Sequence, residues 1–280
     1  MFRKTFTAVV STMTATGEAT PWWHGVPTKL VKKTTLIPGE ATIEALSAHS
    51  TANLPVHTLT FEIPSEEDSS SLTGKAKQHD TVRIELGDIV KMVIPGYKPK
   101  SYSMSALRDN EFDVTIKVYP NGRASGFLDR LNIGDTIQSF GMHKGKTRQP
   151  GSFVGLVAYG VGITEAWPIA KAELNGNDAK KVVLLWASRT KSDTFWNEEI
   201  EEYQEKYPDK FQLVNIYSRE QVPECFHGRI SPKVLADVFN GGADANIALF
   251  LCVGTKSMMR LTDQMFNDIG YPMPQHALLV

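Results

Sequence analysis

The sequence has few cysteines, almost no net charge and no long apolar run, and each absence excludes a class of protein. Its 280 residues include two cysteines, Cys225 and Cys252, too few for a disulfide framework or for an iron–sulfur cluster held by four thiolates. The seven histidines form no HExxH pattern and no Cys/His spacing, so we expect no protein-bound catalytic metal. The longest apolar runs, such as residues 247–253, fall short of the roughly 20 residues of a membrane helix, so we expect no membrane span.

The charge distribution argues against a nucleic-acid-binding protein. The formal net charge is −1, whereas binding through phosphate contacts normally requires a strongly basic surface. Residues 1–150 carry 18 basic and 15 acidic residues, a net charge of +3, and residues 151–280 carry 12 and 16, a net charge of −4. The hydrophobic share of 41% is that of an ordinary folded protein. The chemistry must therefore come from side chains or from an organic cofactor.

The pattern of apolar segments changes near residue 150, which predicts a domain boundary there. Residues 28–150 contain short segments rich in Val, Ile, Thr and aromatics, which are typical of an antiparallel β-barrel. Residues 151–280 alternate apolar strands with amphipathic helices, one of them marked by Trp196, Ile200, Tyr203 and Tyr207. This alternation predicts a doubly wound parallel α/β sheet.

The first 27 residues are predicted to be an N-terminal extension. The first twenty contain Arg3, Lys4, many Ser, Thr and Ala, and no acid before Glu18. This composition fits an organelle transit peptide or a plain polar terminus. We favour the plain terminus and expect a cytoplasmic protein, with an organelle as the alternative.

Two glycine-containing segments are suited to bind anions. Residues 160–164, GVGIT, follow the first strand of the predicted parallel sheet, where glycines let a phosphate approach the backbone and the next helix offers free N–H groups. Glu165 replaces the third glycine of GxGxxG, so the usual dinucleotide fingerprint is incomplete. In the barrel half, Gly122 and Ser125 open a short helix. Each segment alone also fits an ordinary turn or surface helix, but two in one chain favour phosphate-bearing ligands.

Together these segments resemble the ferredoxin–NADP+ reductase superfamily, most closely its cytochrome b5 reductase branch. Lys100-Ser101-Tyr102-Ser103 is similar to the signature Arg-x-Tyr-Ser/Thr, with lysine for arginine, and residues 122–135 match Gly-x-x-Ser-x-x-Leu-x-x-Leu-x-x-Gly-Asp. Residues 160–164 match Gly-x-Gly-Ile-Thr, and residues 254–259 resemble the end of Cys-Gly-x-x-x-Met-Met. The resemblance covers residues 28–280 apart from an insert at residues 38–54, and it implies an FAD-binding Greek-key barrel (28–150) followed by an NAD(P)-binding α/β domain (151–280).

The resemblance also implies a role for each matched position. Tyr102 would stack on the flavin, Ser103 would hydrogen-bond near its N5 atom, and Thr164 would border the nicotinamide, so these three are the implied catalytic residues. The implied cofactor-binding residues are Lys100, Ser101, Tyr102, Ser103, Lys117, Tyr119, Gly122, Arg123, Ala124, Ser125, Gly160, Gly162, Thr164, Arg189, Ser218, Arg219 and Gly254.

The implied activity is that of an FAD-dependent NAD(P)H reductase that passes single electrons to an acidic carrier. A ferredoxin, a flavodoxin and a cytochrome b5-like haem protein are the expected types of carrier, and the chain is expected to be a monomer. Ser218 and Arg219, with Arg189 nearby, suit the 2′-phosphate of NADPH, so NADPH is the expected donor and NADH stays open.

Some positions depart from the family pattern. Lysine stands at position 100, Val253 replaces the family cysteine, Val280 replaces a terminal aromatic residue, and residues 141–145 replace a Gly-Pro-x-x-Gly turn. Cys252 lies one position early, and strand alternation points it to the opposite face. The alternatives are therefore a non-catalytic flavin- or nucleotide-binding subunit, or a module whose partner subunit holds the redox centre.

Overall fold

The computed structural model describes residues 21–47, 50, 52–63, 88–108, 110–143, 150–239, 247–271 and 277–279. The chain divides into two compact units, of which the first comprises residues 1–43 and 54–148 and the second residues 44–53 and 149–280. Residues 44–53 therefore belong to the second unit, although the sequence places them within the predicted barrel domain. Their backbone carbonyls accept hydrogen bonds from Arg189 and Arg219 of the second unit, which accounts for the difference.

The first unit is a seven-stranded antiparallel sheet with one short helix. Its strands are β1 (Pro21–Ile37), β2 (Val56–Glu62), β3 (Asp88–Met92), β4 (Lys100–Ser103), β5 (Ala106–Arg108), β6 (Glu111–Lys117) and β7 (Thr136–His143). Helix α1 (Arg123–Asp129) lies between β6 and β7 along the chain. The strands are hydrogen-bonded in the order β4-β3-β7-β1-β2-β6-β5.

This sheet curls into a barrel. β4 and β5 stand at opposite ends of the strand order, yet Met104 and Ser105 alone separate them along the chain. Because so short a connection spans at most about 10 Å, the two ends of the sheet lie close together. The interior is filled by fully buried apolar side chains, among them Leu30, Leu59, Phe61, Met92, Phe112 and Val114. The predicted antiparallel barrel is confirmed.

β1 begins earlier than the apolar pattern predicts. The sequence predicts a strand from Leu30, whereas β1 starts at Pro21 and pairs with β7 from Pro21 to Lys29. This pairing has two register shifts, and Gly25, at the second of them, has a φ of +66°. Bulges of this kind interrupt the two-residue alternation that identifies a strand in a sequence. Residues 21–27, assigned by sequence to the N-terminal extension, are thus part of the sheet.

The second unit is a parallel sheet with helices. Its strands are β8 (Phe153–Tyr159), β9 (Lys181–Ser188), β10 (Phe211–Tyr217), β11 (Phe226–His227), β12 (Ile247–Val253) and β13 (Ala277–Leu279). Its helices are α2 (Ile163–Asn175), α3 (Asn197–Lys206), α4 (Pro232–Phe239) and α5 (Lys256–Asp268). The strand order is β11-β10-β9-β8-β12-β13, so the chain starts inside the sheet and winds outward in both directions. The predicted doubly wound sheet is confirmed. No helix in the described part of the chain is long and apolar enough to cross a membrane.

Aromatic packing holds one side of this sheet. The Phe250 ring on β12 has four aromatic neighbours at centroid distances of 4.7 to 5.8 Å, namely Phe153, Phe239, Phe266 and Tyr271. Gly155 on β8 makes room for this ring, since a Cβ there would lie 2.2 Å from it. These contacts hold the first residues of β8 against β12.

Helix α3 begins one residue later than its apolar spacing predicts. Trp196 has a φ of +60°, in the left-handed region, and the helix spans Asn197–Lys206. The Trp196 ring packs edge-on against Phe195 with centroids 4.9 Å apart. Trp196 thus repeats the helical spacing without being part of the helix, because packing outside the helix determines its backbone conformation.

Lys210 closes the C-terminal end of α2. Its Nζ donates to the carbonyl oxygens of Glu173, Leu174 and Gly176 at 2.9, 2.8 and 2.8 Å. Carbonyls at a helix end lack partners within the helix, and a cation there also interacts favourably with the helix dipole. Lys210 therefore fixes one end of the helix whose other end follows the predicted nucleotide turn.

Lys210→Ala should lower the free energy of unfolding of the second unit by about 1.5–3 kcal/mol, because three carbonyls lose one charged donor. Lys180→Ala is the control: its side chain is exposed, so the change should stay within about 0.5 kcal/mol. Urea denaturation followed by tryptophan fluorescence measures both variants. Equal effects of the two substitutions would contradict the capping role of Lys210.

Candidate functional site

Strand β4 carries the aromatic and hydroxyl groups of the first predicted motif. Tyr102 lies opposite Val90 of β3, and Ser103 opposite Ile89. The Tyr102 ring packs against the barrel core, and burial raises the pKa of its phenol to about 12. At neutral pH it is therefore a flat, uncharged surface. Ser101 is exposed and Ser103 half-buried, so the hydroxyls of β4 are partly accessible.

A tight turn positions Tyr97 just before this strand. The Tyr97 N–H donates to the Ile94 carbonyl at 3.0 Å, and Gly96 has a φ of +67°. This is the arrangement of a type II turn, with Pro95 at the second position and glycine at the third. A residue with a Cβ would be strained at position 96. The turn thus fixes the place of Tyr97.

The Tyr97 ring brings two cations together. Lys100 Nζ lies 5.4 Å from the ring centroid, and the guanidinium carbon of Arg123 lies 5.6 Å from it, both within the range of cation–π attraction. Tyr97 itself packs against the barrel core. Two positive charges around one ring repel each other, and an anion bound to both removes that repulsion. This group, which we call the Tyr97 cluster (Tyr97, Lys100 and Arg123), is therefore suited to a phosphate.

Gly122 lets Ser125 and the Tyr119 backbone pack closely beside Arg123. A Cβ at Gly122 would lie 2.3 Å from Ser125 Oγ and 3.0 Å from the Tyr119 carbonyl oxygen. Ser125 Oγ accepts a hydrogen bond from the Tyr119 N–H at 3.2 Å, so its position is fixed and its own proton can be donated. Two cations, a hydroxyl donor and an accessible backbone suit a pyrophosphate. The residues present therefore fit the FAD that the family resemblance implies.

The other predicted barrel residues differ in exposure. Lys117 is the half-buried last residue of β6, and Tyr119 exposes 44% of its surface. Ala124, on the buried face of α1, packs into the barrel core. In the described part of the chain, no group of three His, Cys, Asp or Glu side chains could hold a metal ion. The barrel site thus consists of cations, hydroxyls and aromatic rings.

In the second unit, the glycine turn after β8 packs directly on the end of β12. Gly160–Gly162 form a 3-10 turn before α2. Gly160 has a φ of +52°, and its carbonyl accepts the Trp186 Nε1–H at 2.9 Å. A Cβ at Gly162 would lie 2.6 Å from the Val253 carbonyl oxygen. The close approach of this turn to β12 therefore requires glycine.

Gly254, just after β12, makes room for Tyr159. A Cβ at Gly254 would lie 2.9 Å from the Tyr159 ring, whose hydroxyl is 2.7 Å from Thr262 Oγ1. Burial raises the pKa of Tyr159 to about 12. Thr164 donates its hydroxyl to the Val161 carbonyl at 2.9 Å, so it stabilises the turn. Its contact with a nicotinamide stays a prediction.

Cys252 faces away from the ligand side of β12. It is 2% exposed, within the core, and burial raises the pKa of its thiol to about 12. Such a thiol is protonated and inaccessible, so it does not substitute for the family cysteine at the partly exposed Val253. Residue 280 and residues 144–145 of the replaced turn lie outside the described residues, and residues 141–143 end β7.

The predicted phosphate-binding arginines lie just after the carboxyl ends of β9 and β10. The Arg219 N–H donates to the Arg189 carbonyl at 2.8 Å, and Ser218 is exposed. The Arg189 guanidinium pairs with both carboxylate oxygens of Asp193, from Nε at 2.7 Å and from Nη2 at 2.8 Å. Arg189 is thus bound to a carboxylate of the same chain.

Two parts of the site were not predicted from the sequence. Tyr97 has a signal in the Pro95-Gly96 turn, but the pattern does not reveal that its ring contacts two cations. Residues 44–53 contact Arg189 and Arg219 across more than 130 positions of sequence. Their composition gives no signal of that contact.

Models of two domain families match the two halves of the chain. The oxidoreductase FAD-binding domain matches residues 45–146, and the oxidoreductase NAD-binding domain matches residues 156–264. The NADH-cytochrome b5 reductase 1 of Debaryomyces hansenii is 30% identical over 221 residues, which are 75% of this chain and 72% of that protein. The chain belongs to the NADH–cytochrome b5 reductase family. The resemblance read from the motifs is confirmed.

Another member of the family is NADH–cytochrome b5 reductase 1 of Arabidopsis thaliana. It is 34% identical over 175 residues, which are 61% of this chain and 59% of that protein. The chain thus spans less than two thirds of the length of this relative. Membership of the family identifies an FAD- and NAD-binding oxidoreductase fold.

Solved structures share the fold at low sequence identity. The cytochrome b5 reductase domain of Ulva prolifera nitrate reductase has a TM-score of 0.68 at 17% identity, covering 93% of this chain and 100% of that one. Ferredoxin-NADP+ reductase from Plasmodium falciparum has a TM-score of 0.62 at 16% identity, covering 93% and 96%. These likenesses confirm the predicted order of an antiparallel barrel and a wound parallel sheet.

Tyr97→Leu should weaken FAD binding about five- to tenfold, because loss of the ring removes about 1 kcal/mol of attraction that holds the two cations. Tyr97→Phe keeps the ring and should bind FAD almost as the wild type does. Fluorescence titration of the apoprotein gives each Kd. Riboflavin, which has no phosphate, is the control ligand, and a loss of riboflavin affinity equal to that of FAD would contradict the phosphate role.

Gly122→Ala should weaken FAD binding at least about tenfold, because the new methyl overlaps Ser125 and the Tyr119 backbone, a clash of about 1–3 kcal/mol. Gly126→Ala is the matched control four residues later: its Cβ would meet the flexible end of Arg130 at 3.3 Å. That variant should retain FAD. The flavin-to-protein absorbance ratio after gel filtration measures both, and equal retention would show that FAD binding does not depend on the close packing at Gly122.

Proposed function

We propose that the protein is an FAD-dependent reductase that oxidises NADH and reduces a one-electron carrier of the cytochrome b5 type. The Tyr97 cluster carries the proposal, because its two cations are combined with the Ser125 hydroxyl and with the partly exposed backbone at Gly122. In a chain of almost zero net charge, such a concentration of positive charge beside an aromatic strand suits a flavin with a pyrophosphate. The motifs and the family membership support the same cofactor.

Bound FAD would supply the redox chemistry, accepting a hydride from the nucleotide and releasing electrons singly. The chain's own residues bind and orient the two molecules. Lys100, Arg123 and Ser125 would hold the pyrophosphate, and the uncharged Tyr102 ring would offer a face for stacking. Ser103 has a half-buried hydroxyl on the same strand, suited to a hydrogen bond at the edge of the flavin. No acid–base pair is needed, because alignment is the main requirement of the reaction.

NADH is the proposed donor. The relatives are named as NADH reductases, and Arg189, one of the residues expected to bind a 2′-phosphate, is already paired with Asp193. The glycine turn at 160–162 and the start of α2 provide the backbone N–H groups for the nucleotide phosphates. NADPH, the donor expected from the sequence, is thus less well supported.

The proposed acceptor is an acidic haem protein. The matched relatives carry cytochrome b5 in their names, and residues 1–150 of this chain have a net charge of +3. Opposite charges speed the encounter of electron-transfer partners. A ferredoxin or a flavodoxin is also acidic and is the alternative to be compared.

Anaerobic mixing of the FAD-loaded protein with NADH should bleach the yellow flavin absorbance within seconds, whereas free FAD with NADH should stay yellow. Subsequent addition of oxidised cytochrome b5 should restore the absorbance faster than ferredoxin or flavodoxin does, with a rate that falls as salt increases. Stopped-flow spectroscopy follows both steps. A flavin that stays oxidised under excess NADH and NADPH would instead identify a non-catalytic flavin-binding subunit.

A further inference from the structure

The described residues of the segment 44–53, namely 44–47, 50, 52 and 53, lie against the edge of the parallel sheet where a nucleotide would bind, and we call this segment the strap. Ligands of doubly wound sheets lie at the carboxyl ends of the strands. Arg189 directly follows β9 and Arg219 lies two residues after the end of β10, and both donate to the backbone of the strap. The strap leaves and re-enters the barrel sequence between β1 and β2, but it is part of the second unit.

The guanidinium of Arg189 is occupied by partners of the same chain. Besides its two bonds to Asp193, it donates from Nη1 to the Ala45 carbonyl at 2.6 Å and from Nη2 to the Ala52 carbonyl at 3.2 Å. Four of its five N–H groups are therefore used. Asp193 itself is buried, with 4% of its surface exposed, so the ion pair is shielded from water.

Other contacts show that the strap is a packed element rather than a loose loop. Arg219 Nη1 donates to the Ser50 carbonyl at 2.8 Å, between the two attachment points on Arg189. Asn53 and Ser192 exchange hydrogen bonds, from Asn53 Nδ2 to the Ser192 carbonyl at 3.2 Å and from Ser192 Oγ to Asn53 Oδ1 at 3.1 Å. Ala45 is completely buried.

These contacts decide what the arginine pair can offer a ligand. Two arginines at the end of a parallel sheet suit a phosphate dianion, but here one carboxylate and two carbonyl oxygens already accept hydrogen bonds from Arg189, and a third carbonyl accepts one from Arg219. A 2′-phosphate bound by Arg189 would have to displace the strap and leave its carbonyls without donors, a loss of about 1–3 kcal/mol for each buried group. A neutral ribose 2′-hydroxyl requires no such displacement.

We propose that the strap is a specificity element that makes this site select NADH over NADPH. It takes up most of the hydrogen-bonding capacity of Arg189 that a 2′-phosphate would otherwise use, and it holds Arg219 by one further hydrogen bond. This role rests on the proposed reductase function, which identifies the electron donor as a pyridine nucleotide. The strap contacts the two arginines through its backbone carbonyls. The selectivity therefore depends on the path of its backbone and not on its side chains.

The test compares adenosine 2′,5′-bisphosphate with 5′-AMP by calorimetric titration of the FAD-loaded protein. The wild type should bind the bisphosphate no more tightly than 5′-AMP. Replacing residues 45–52 by a Gly/Ser linker of equal length should tighten the bisphosphate at least about tenfold, about 1.4 kcal/mol, and leave 5′-AMP within about twofold. Adding Arg189→Ala and Arg219→Ala to the linker variant should abolish that gain.

Leu46→Ala is the matched control within the strap. Its side chain is 47% exposed, and its removal leaves the carbonyl contacts in place, so the preference should not change. The proposal is overturned if the wild type binds the bisphosphate at least about tenfold more tightly than 5′-AMP, or if the linker variant gains nothing. Should the linker variant fail to fold, the wild-type comparison still decides.

Failure of this proposal and failure of the proposed function are distinguishable. Neither test ligand carries a nicotinamide, so the titrations do not depend on flavin reduction. A flavin reduced equally well by NADPH and NADH would leave the reductase intact and overturn the role of the strap. If neither NADH nor NADPH reduces the flavin, but the linker variant gains affinity for the bisphosphate, only the proposed reductase function is overturned.

Discussion

The close placement of like charges is the constraint on which this molecule's site depends. The fold brings Lys100 and Arg123 to one tyrosine ring in the barrel unit, and Arg189 beside Arg219 at the end of the parallel sheet. Each pair needs negative partners, because repulsion between cations is weakened but not removed near a protein surface. In the sheet the chain supplies them itself, through Asp193 and the strap. In the barrel the Tyr97 cluster is suited to receive them from a phosphate-bearing cofactor.

Glycine permits close packing at two turns of the predicted sites. At Gly122 a Cβ would overlap Ser125, and at Gly162 it would overlap the end of β12. Both positions were identified from the sequence, because a glycine beside a serine or a strand end has a specific geometric meaning. The parallel sheet was equally predictable: the bounds of β8, β10 and β12 agree with their apolar runs, since strands buried on both faces leave an uninterrupted apolar segment.

What the sequence could not show are contacts between distant segments. Arg189 meets Ala45 across 144 positions, and no periodicity links a strand end to a loop in another part of the chain. The same holds for Tyr97, whose ring reaches Arg123 only because the barrel brings a turn next to α1. At Trp196 the local pattern was present but misleading. The residue fits the helical spacing, yet its backbone is in the left-handed region and the helix begins after it. In each case tertiary contact determined the outcome.

The proposed function as an FAD-dependent reductase therefore depends on the binding of a pyrophosphate at the Tyr97 cluster. A crystal structure of the protein with bound FAD tests this most directly. The account predicts pyrophosphate oxygens within about 3.2 Å of Lys100 Nζ, an Arg123 guanidinium nitrogen and Ser125 Oγ, with the flavin ring against Tyr102. An FAD bound with its pyrophosphate elsewhere, and with the two cations still facing solvent, would contradict it.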